Sequence, residues 1–266
     1  MYSNPPTHQD LSEIRDKAQE IVRKVGEFVY KSRENQGTVH YKDGRDMVTS
    51  IDIEAEKMLT DALQVVLPGA GFLLEEGEST EKHEFNWVID PIDQTKNYVG
   101  NIPLYFVQVA LVNDNMPVVS VVYNPVSRQL FSSSKGSGVY LNNTKLSPTP
   151  RTVLKDCIVD FEFGGRSEDI EWKLNFLNII ARNAYRIRIT AATFSLGLLT
   201  GGVDACLLLN QSAKIMDTMP RLGLFLEAGI SVGKYKDHNK EFIVCANPSV
   251  QDEIRALFGN PEFIPL

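Results

Sequence analysis

Asp90 and Asp93 stand three positions apart in Asp90-Pro91-Ile92-Asp93, directly after the apolar run Trp87-Val88-Ile89. That run reads as a short buried strand, so both carboxylates sit where a strand runs out. Pro91 has no backbone N–H, and ladder pairing is expected to stop there. The turn that follows can swing Asp93 back beside Asp90 and leave the Ile92 carbonyl facing the same space. Such an oxygen-rich pocket suits a hard cation such as Mg²⁺. Acidic turns after strands are also common without a metal, so the tetrapeptide needs support from other residues.

Three further acidic sites have the right placement. Glu75 ends the strand Phe72-Leu73-Leu74 as Asp90 ends its own. If the two strands are neighbours, their terminal carboxylates share one crevice. Asp217 opens a helix, where it serves either as a ligand or as a partner of the helix dipole. Asp46 precedes another helix, and Asp52 in the same stretch reads as an N-cap. Converging carboxylates repel by roughly 4 kcal/mol per ionised pair at about 4 Å and an effective dielectric of about 20. Bound Mg²⁺ ions resolve that repulsion most simply, and a two-metal site would stabilise both attacking and leaving oxygens. Gln94-Thr95-Lys96-Asn97 follows the acidic pair and begins a helical turn, whose free N–H groups favour a phosphate. The Thr95 hydroxyl either orients a water or caps that turn.

The elements that must hold these residues are legible in outline. Apolar positions at helical spacing predict a helix over 10–33 with Asp10 as N-cap, and a second over 53–66. Strands are expected at 72–74 and 87–89, then 106–112 and 118–123 joined by Asn113-Asp114-Asn115. The meander continues at 130–133 and 139–141, with Asn142-Asn143 as a turn. Ser147-Pro148-Thr149-Pro150 marks a boundary. Beyond it come strands near 157–161, 185–189, 204–209 and 242–246. Helices are expected near 168–183, 193–201, 216–228 and 249–258, with Ser249 and Asp252 resembling a capping box. The reading is an α+β half over 1–148, carrying most of the acidic site, and an α/β half over 149–266 that closes it.

Composition narrows the function. The chain has 266 residues, 43% hydrophobic, and a net charge of -7 from 27 Lys+Arg and 34 Asp+Glu. An acidic chain without a Lys/Arg block is a poor nucleic-acid binder. No stretch of about 18 apolar residues would cross a membrane, and Met1–Asp10 lacks a signal-peptide core, so a cytoplasmic protein is expected. Cys157, Cys206 and Cys245 are far apart and read as buried thiols. The four histidines, His8, His40, His83 and His238, share no ligand spacing and read as surface residues. Lys135-Gly136-Ser137-Gly138 lacks phosphate-loop spacing and reads as a hairpin turn.

Taken together the motifs resemble the inositol monophosphatase family of Mg²⁺-dependent, lithium-sensitive phosphatases. The matching stretches are Asp46-Met47-Val48-Thr49-Ser50-Ile51-Asp52, Leu74-Glu75-Glu76, and Trp87 through Asn97. Thr190-Ala191-Ala192 through Gly201-Gly202-Val203-Asp204-Ala205, and Met216-Asp217 through Glu227-Ala228-Gly229, follow in family order. The resemblance implies an αβαβα layered sandwich, as in fructose-1,6-bisphosphatase-like proteins, and a homodimer. It implies Mg²⁺ ligation by Glu75, Asp90, Asp93, Asp217 and the Ile92 carbonyl. Asp46 and Thr95 would position a water, and Glu76 would stand behind the ligands. The substrate would be a small phosphorylated metabolite, with its phosphate on N–H groups near residues 94–95.

Several positions depart from the family pattern. Gln94 replaces a glycine beside the phosphate. With φ below zero it only adds bulk that can touch substrate; with φ above zero it is strained and phosphate binding suffers. Met216 replaces a tryptophan, and Ile189 stands where relatives often have glycine. Asn210 falls where relatives carry an acidic residue that contacts the sugar or cyclitol, which weakens the case for inositol phosphate. Lys96 is common in relatives acting on 3′-phosphoadenosine 5′-phosphate or histidinol phosphate, and is equally readable as a surface residue. These substrates, and a sugar phosphate, are the alternatives within the enzyme class. The alternative from another class is a catalytically weak homologue that binds a metal or ligand.

Overall fold

The computed structural model describes residues 7–35, 37–42, 46–164, 169–190, 195–209, 214–237 and 239–264. Its helices are α1 (His8–Ser32), α2 (Ser50–Val66), α3 (Thr95–Val99), α4 (Ile170–Asn183), α5 (Gly197–Thr200), α6 (Ile215–Glu227) and α7 (Pro248–Leu257). None is long and apolar enough to cross a membrane. The chain divides into two compact units, Met1–Lys145 with Lys214–Glu227 and Leu146–Ala213 with Ala228–Leu266. The helix carrying Asp217 thus groups with the first unit, although it lies far beyond residue 148 in sequence.

In the first unit a ribbon of β1 (Val39–Lys42) and β2 (Asp46–Thr49) leads into α2. A seven-stranded sheet follows, in the order β3 (Gly71–Leu74), β4 (Phe85–Asp93), β5 (Phe106–Asn113), β6 (Met116–Asn124), β7 (Gln129–Ser134), β8 (Gly138–Leu141) and β9 (Thr144–Lys145). β3 runs parallel to β4, and the later pairs are antiparallel. The β5–β6 hairpin turns on Asp114 and Asn115, and the β8–β9 hairpin on Asn142 and Asn143, all with positive φ. Such residue types are the ones that tolerate those tight turns.

Strand alternation gives the sheet two different faces. Trp87, Ile89, Val109 and Leu111 pack under the apolar stripes of α1 and α2, including Leu11, Val22, Ala55 and Leu59. Val88, Ala110 and Val112 face Ile215, Met216 and Met219 of α6 on the other side. Gly223 of α6 has no room for a Cβ against Ser120 of β6, so the helix lies close on that face.

The second unit holds a mixed sheet in the order β11 (Arg186–Ile189), β10 (Ile158–Glu162), β12 (Ala205–Leu208), β14 (Lys240–Ala246), β13 (Ser231–Asp237) and β15 (Glu262–Ile264). Only β10–β11 and β10–β12 are parallel pairs. Phe176 and Ile180 of α4 and Val250 and Ile254 of α7 bury against Val159, Phe161 and Val244. Helices layered on mixed sheets make this the expected α+β class.

Local chemistry corrects several expectations. Thr7, not Asp10, caps α1; Asp10 sits three residues on and completes the capping box. Asp52 likewise is not the cap of α2 but the third helical residue, and Thr49 is the cap. Asn247 caps α7 by accepting from Ser249 N–H, with Pro248 in the first turn. The helix expected over 193–201 is shorter, Gly197–Thr200, and residues 191–194 lie outside the described ones. All three cysteines are buried, and burial pushes the Cys157 thiol up to about 12.

Candidate metal centre

The strand through Asp90 does not stop at Pro91. β4 continues to Asp93, and its register shifts once on the way: Asp90 lies opposite Gln108 and Asp93 opposite Phe106. Pro91 and Ile92 together therefore face the single residue Val107, which is a β-bulge. The bulge absorbs the missing proline N–H. It also decides the chemistry. Residues three apart on a regular strand point to opposite faces. One extra residue returns Asp93 to the face of Asp90.

Other elements bring further carboxylates to that face. Leu74 pairs with Ile89 in the parallel β3–β4 ladder, so Glu75 and Asp90 leave their strands at one level. Asp217 lies in the first turn of α6, which packs on the Asp90 face. Ligand atoms of Asp90, Asp93 and Asp217 lie within 4.8 Å of one another. Asp217 is also a helix-start acid of the ordinary kind, since its Oδ2 accepts from Lys214 N–H at 2.9 Å. Lys214 Nζ lies 3.1 Å from Glu75 Oε1.

Pro220 shapes the start of α6. Lacking an N–H, it cannot bond to the Met216 carbonyl four residues back. Gln108 Nε2 stands 3.4 Å from that carbonyl and donates to Asp90 Oδ2 at 2.9 Å. Gln108 is wholly buried and ties the strand acid to the helix that brings Asp217. The other Asp90 oxygen, Oδ1, is buried with no hydrogen-bond donor in reach among the described residues. The Asp90 carboxyl is held well above the usual carboxylate range. Burial is the main cause, followed by the charges of Glu75, Asp93 and Asp217.

The turn after the strand holds a second arrangement. Gln94 adopts left-handed backbone, φ 68° and ψ 49°, at the entry to α3. Of the two alternatives for this position, the strained one is therefore realised. Its side-chain Nε2 lies 3.4 Å from Asp93 Oδ1. Thr95 Oγ1 lies 3.1 Å from Asp52 Oδ1 and 3.0 Å from the Ile92 carbonyl. The Ile92 carbonyl, expected to be free, is thus a partner of Thr95 and keeps one lone pair for another donor or ion. Asp52 is buried and accepts through Oδ2 from Thr49 N–H and Oγ1–H. Burial raises its carboxyl above the ordinary range against the lowering effect of those bonds.

This convergence has relatives. The model of the inositol monophosphatase family matches residues 10–259. The chain belongs to that family. An inositol monophosphatase of Dictyostelium discoideum is 31% identical over 265 residues, covering 93% of this chain and 95% of the relative. The extragenic suppressor protein suhB of Bartonella henselae superposes with a TM-score of 0.82 at 25% identity, covering 93% of this chain and 98% of that one. An IMPase/NADP phosphatase solved with Mg²⁺ and phosphate superposes at 0.77, with 20% identity and 93% and 95% coverage.

Against the family pattern, Asp90, Asp93 and Asp217 come together, and Glu75 is near enough to act on Asp90. Glu76 is half-buried in the turn after β3, and Lys96 is exposed. Asp46 opens β2, but its side chain lies outside the described residues, as do Asn210 and His238. Gln108 and Asp52, bonded to Asp90 and Thr95, belong to the arrangement and were not singled out for it by motif reading. Gln108 had a signal: it is the one polar residue inside the apolar run Phe106–Val112. Lys135–Gly138 is a hairpin turn. Its Gly136 and Gly138 N–H groups bond to the Glu227 carboxylate, both at 2.9 Å, so a side chain of the same chain takes the place of any phosphate.

Proposed function

We propose that this chain is a Mg²⁺-dependent phosphomonoesterase acting on a small phosphorylated metabolite. The observation that carries the reading is the carboxylate cluster of Asp90, Asp93 and Asp217, with a buried Asp90 oxygen that has no donor among the described residues. An all-oxygen set of this kind fits Mg²⁺. Glu75, Asp90, Asp93, Asp217 and the Ile92 carbonyl would hold it. A divalent cation there supplies Lewis-acid charge and a more acidic water.

The chain's own residues do the rest. The Thr95 hydroxyl, fixed by Asp52, orients a water toward the phosphorus. Asp52, whose carboxyl sits above its ordinary range, is suited to accept a proton through Thr95. Asp46 remains the second expected partner of that water. The backbone N–H groups near residues 94–95, at the entry to α3, are the ones expected to meet phosphate oxygens. Gln94 stands beside them and limits the substrate's approach. Lys214, placed between Glu75 and Asp217, adds positive charge at the rim.

Incubating the protein with a panel of phosphate monoesters tests the reading. The panel includes inositol phosphates, sugar phosphates, histidinol phosphate and 3′-phosphoadenosine 5′-phosphate. Phosphate release should require Mg²⁺, vanish with chelator and vanish in Asp217→Asn. The left-handed Gln94 favours a second reading, a metal-binding homologue with weak turnover. Mg²⁺ binding with no release from any ester would support it and sink the first.

A further inference from the structure

The turn that presents Glu75 is held by a carboxylate that the proposed chemistry does not use. β3 ends at Leu74, so no ladder fixes the backbone beyond it. Glu56, one helical turn after Asp52 on α2, takes over. Its Oε2 accepts from the N–H groups of Glu75 at 3.0 Å and Glu76 at 2.9 Å, and its Oε1 from that of Gly77 at 2.7 Å. Consecutive N–H groups facing one point form a concave anion site. Here the anion is built into the protein and is only 5% exposed. A Cβ at Gly77 would come within 2.9 Å of Glu56 Oε1, so the close approach depends on a glycine there.

We infer that Glu56 is a positioning residue for the cation site. By fixing the peptide groups of 75–77 it aims the Glu75 carboxylate at the acids of β4 and α6. A merely stabilising side chain could serve this turn with fewer bonds. Sinking a carboxylate beside an acidic cluster is costly unless it is well bonded. The placement also gives α2 two tasks on adjacent turns. Asp52 holds the Thr95 hydroxyl, and Glu56 holds the backbone at Glu75. One helix thereby sets the spacing between the water-orienting group and a metal ligand. The inference rests on reading the acidic cluster as a cation site.

Calorimetric titration of the full chain with Mg²⁺, run beside Mg²⁺-dependent phosphate release, tests it. Glu56→Gln places an amide NH₂ against an N–H donor. Its Mg²⁺ dissociation constant should rise about 10–100-fold, the usual effect of removing a partner behind a ligand, while kcat at saturating Mg²⁺ changes much less. Glu54→Gln, exposed on the same helix, should match wild type. In a Glu75→Gln background, Glu56→Gln should add less than about twofold, because both act through one ligand. Gly77→Ala crowds the same contact and should weaken Mg²⁺ similarly; it carries the test if Glu56→Gln does not fold. Wild-type Mg²⁺ affinity in Glu56→Gln, or an undiminished effect in the Glu75→Gln background, overturns the inference and leaves the cation site standing. Wild-type affinity in Glu75→Gln overturns Glu75 as a ligand, and this inference with it.

Discussion

Asp93 and Gln94 are neighbours in the chain, and each bears a cost of a different kind. Asp93 belongs to a crowd of carboxylates whose ligand atoms lie within 4.8 Å of one another. At that distance each ionised pair costs roughly 3–4 kcal/mol with an effective dielectric of about 20. Gln94 bears a backbone cost instead, about 1–2 kcal/mol for a side-chain-bearing residue in left-handed geometry. The first cost is conditional: a proton or a cation removes it. The second is permanent in this sequence, and only a different residue removes it. Charge crowding is how a fold prepares a site for a ligand, whereas the strain at Gln94 is borne whether or not anything binds.

The largest test of that contrast removes a charge from the crowd. Asp93→Asn should abolish Mg²⁺-dependent phosphate release, at least about 100-fold in kcat/KM. That is the top of the range for disturbing a group behind a ligand, and Asp93 is read as a ligand itself. If the charge is costly without metal, the same variant should be as stable as wild type, or more so, in chelator. Thermal unfolding with and without Mg²⁺ reads both. A variant that turns over normally would dissolve the proposed centre.

Acid provides the next test. Asp90 is held above the usual range, by burial first and then by Glu75, Asp93 and Asp217. From about pH 4 up to its raised folded value, the folded protein binds more protons than the unfolded chain. Stability without metal therefore falls as pH rises through that window. Mg²⁺ needs the deprotonated acids, so its stabilising effect should grow over the same window. It should reach about 2.7 kcal/mol at a hundredfold excess over its dissociation constant. The observable is the Mg²⁺-dependent difference in Tm against pH. A difference independent of pH would place the metal away from these acids.

How far the sequence announced this arrangement differs from residue to residue. Asp90, Asp93, Glu75 and Asp217 were legible because each stands where an apolar run ends or a helix begins, and those edges can be read locally. The bulge that turns Asp93 back was not legible. It is a property of register between β4 and β5, and nothing in Asp90-Pro91-Ile92-Asp93 states what lies opposite. Strands β13 and β15 were missed for a related reason. Ser231–Asp237 holds just two apolar side chains, Val232 and Tyr235, three positions apart and so out of strand period, and its pairing with β14 supplies what its hydrophobicity does not. Asp52 and Glu56 were hidden in an ordinary helix. Their cue is two acids four apart beside the buried stripe of Ile51, Ala55 and Leu59, a place where charge needs partners.

A narrower effect, confined to turnover and the helix start, should follow at Asp52. Asp52→Asn keeps an oxygen for Thr49 or Thr95 but cannot serve both and accept a proton. The helix start should weaken by about 1 kcal/mol, the scale of a lost cap. kcat should fall within the roughly 10²–10⁴-fold contributed by general bases, while Mg²⁺ affinity stays near wild type. That pattern separates Asp52 from Asp93. A loss of Mg²⁺ affinity in Asp52→Asn would instead make it part of the ligand set.

The smallest effect belongs to Gln94, and it completes the contrast. Gln94→Gly removes the left-handed penalty of about 1–2 kcal/mol but adds about 0.5–1 kcal/mol of chain entropy to be lost on folding. The net gain in stability should lie between about 0 and 1.5 kcal/mol, and it should be the same with and without Mg²⁺, unlike that of Asp93→Asn. Loss of the side chain also clears the approach to the α3 N–H groups. KM for a phosphate ester should therefore fall while the Mg²⁺ dependence stays unchanged. If Gln94→Gly raises KM instead, the Gln94 amide is a substrate contact, and its strain is retained for recognition.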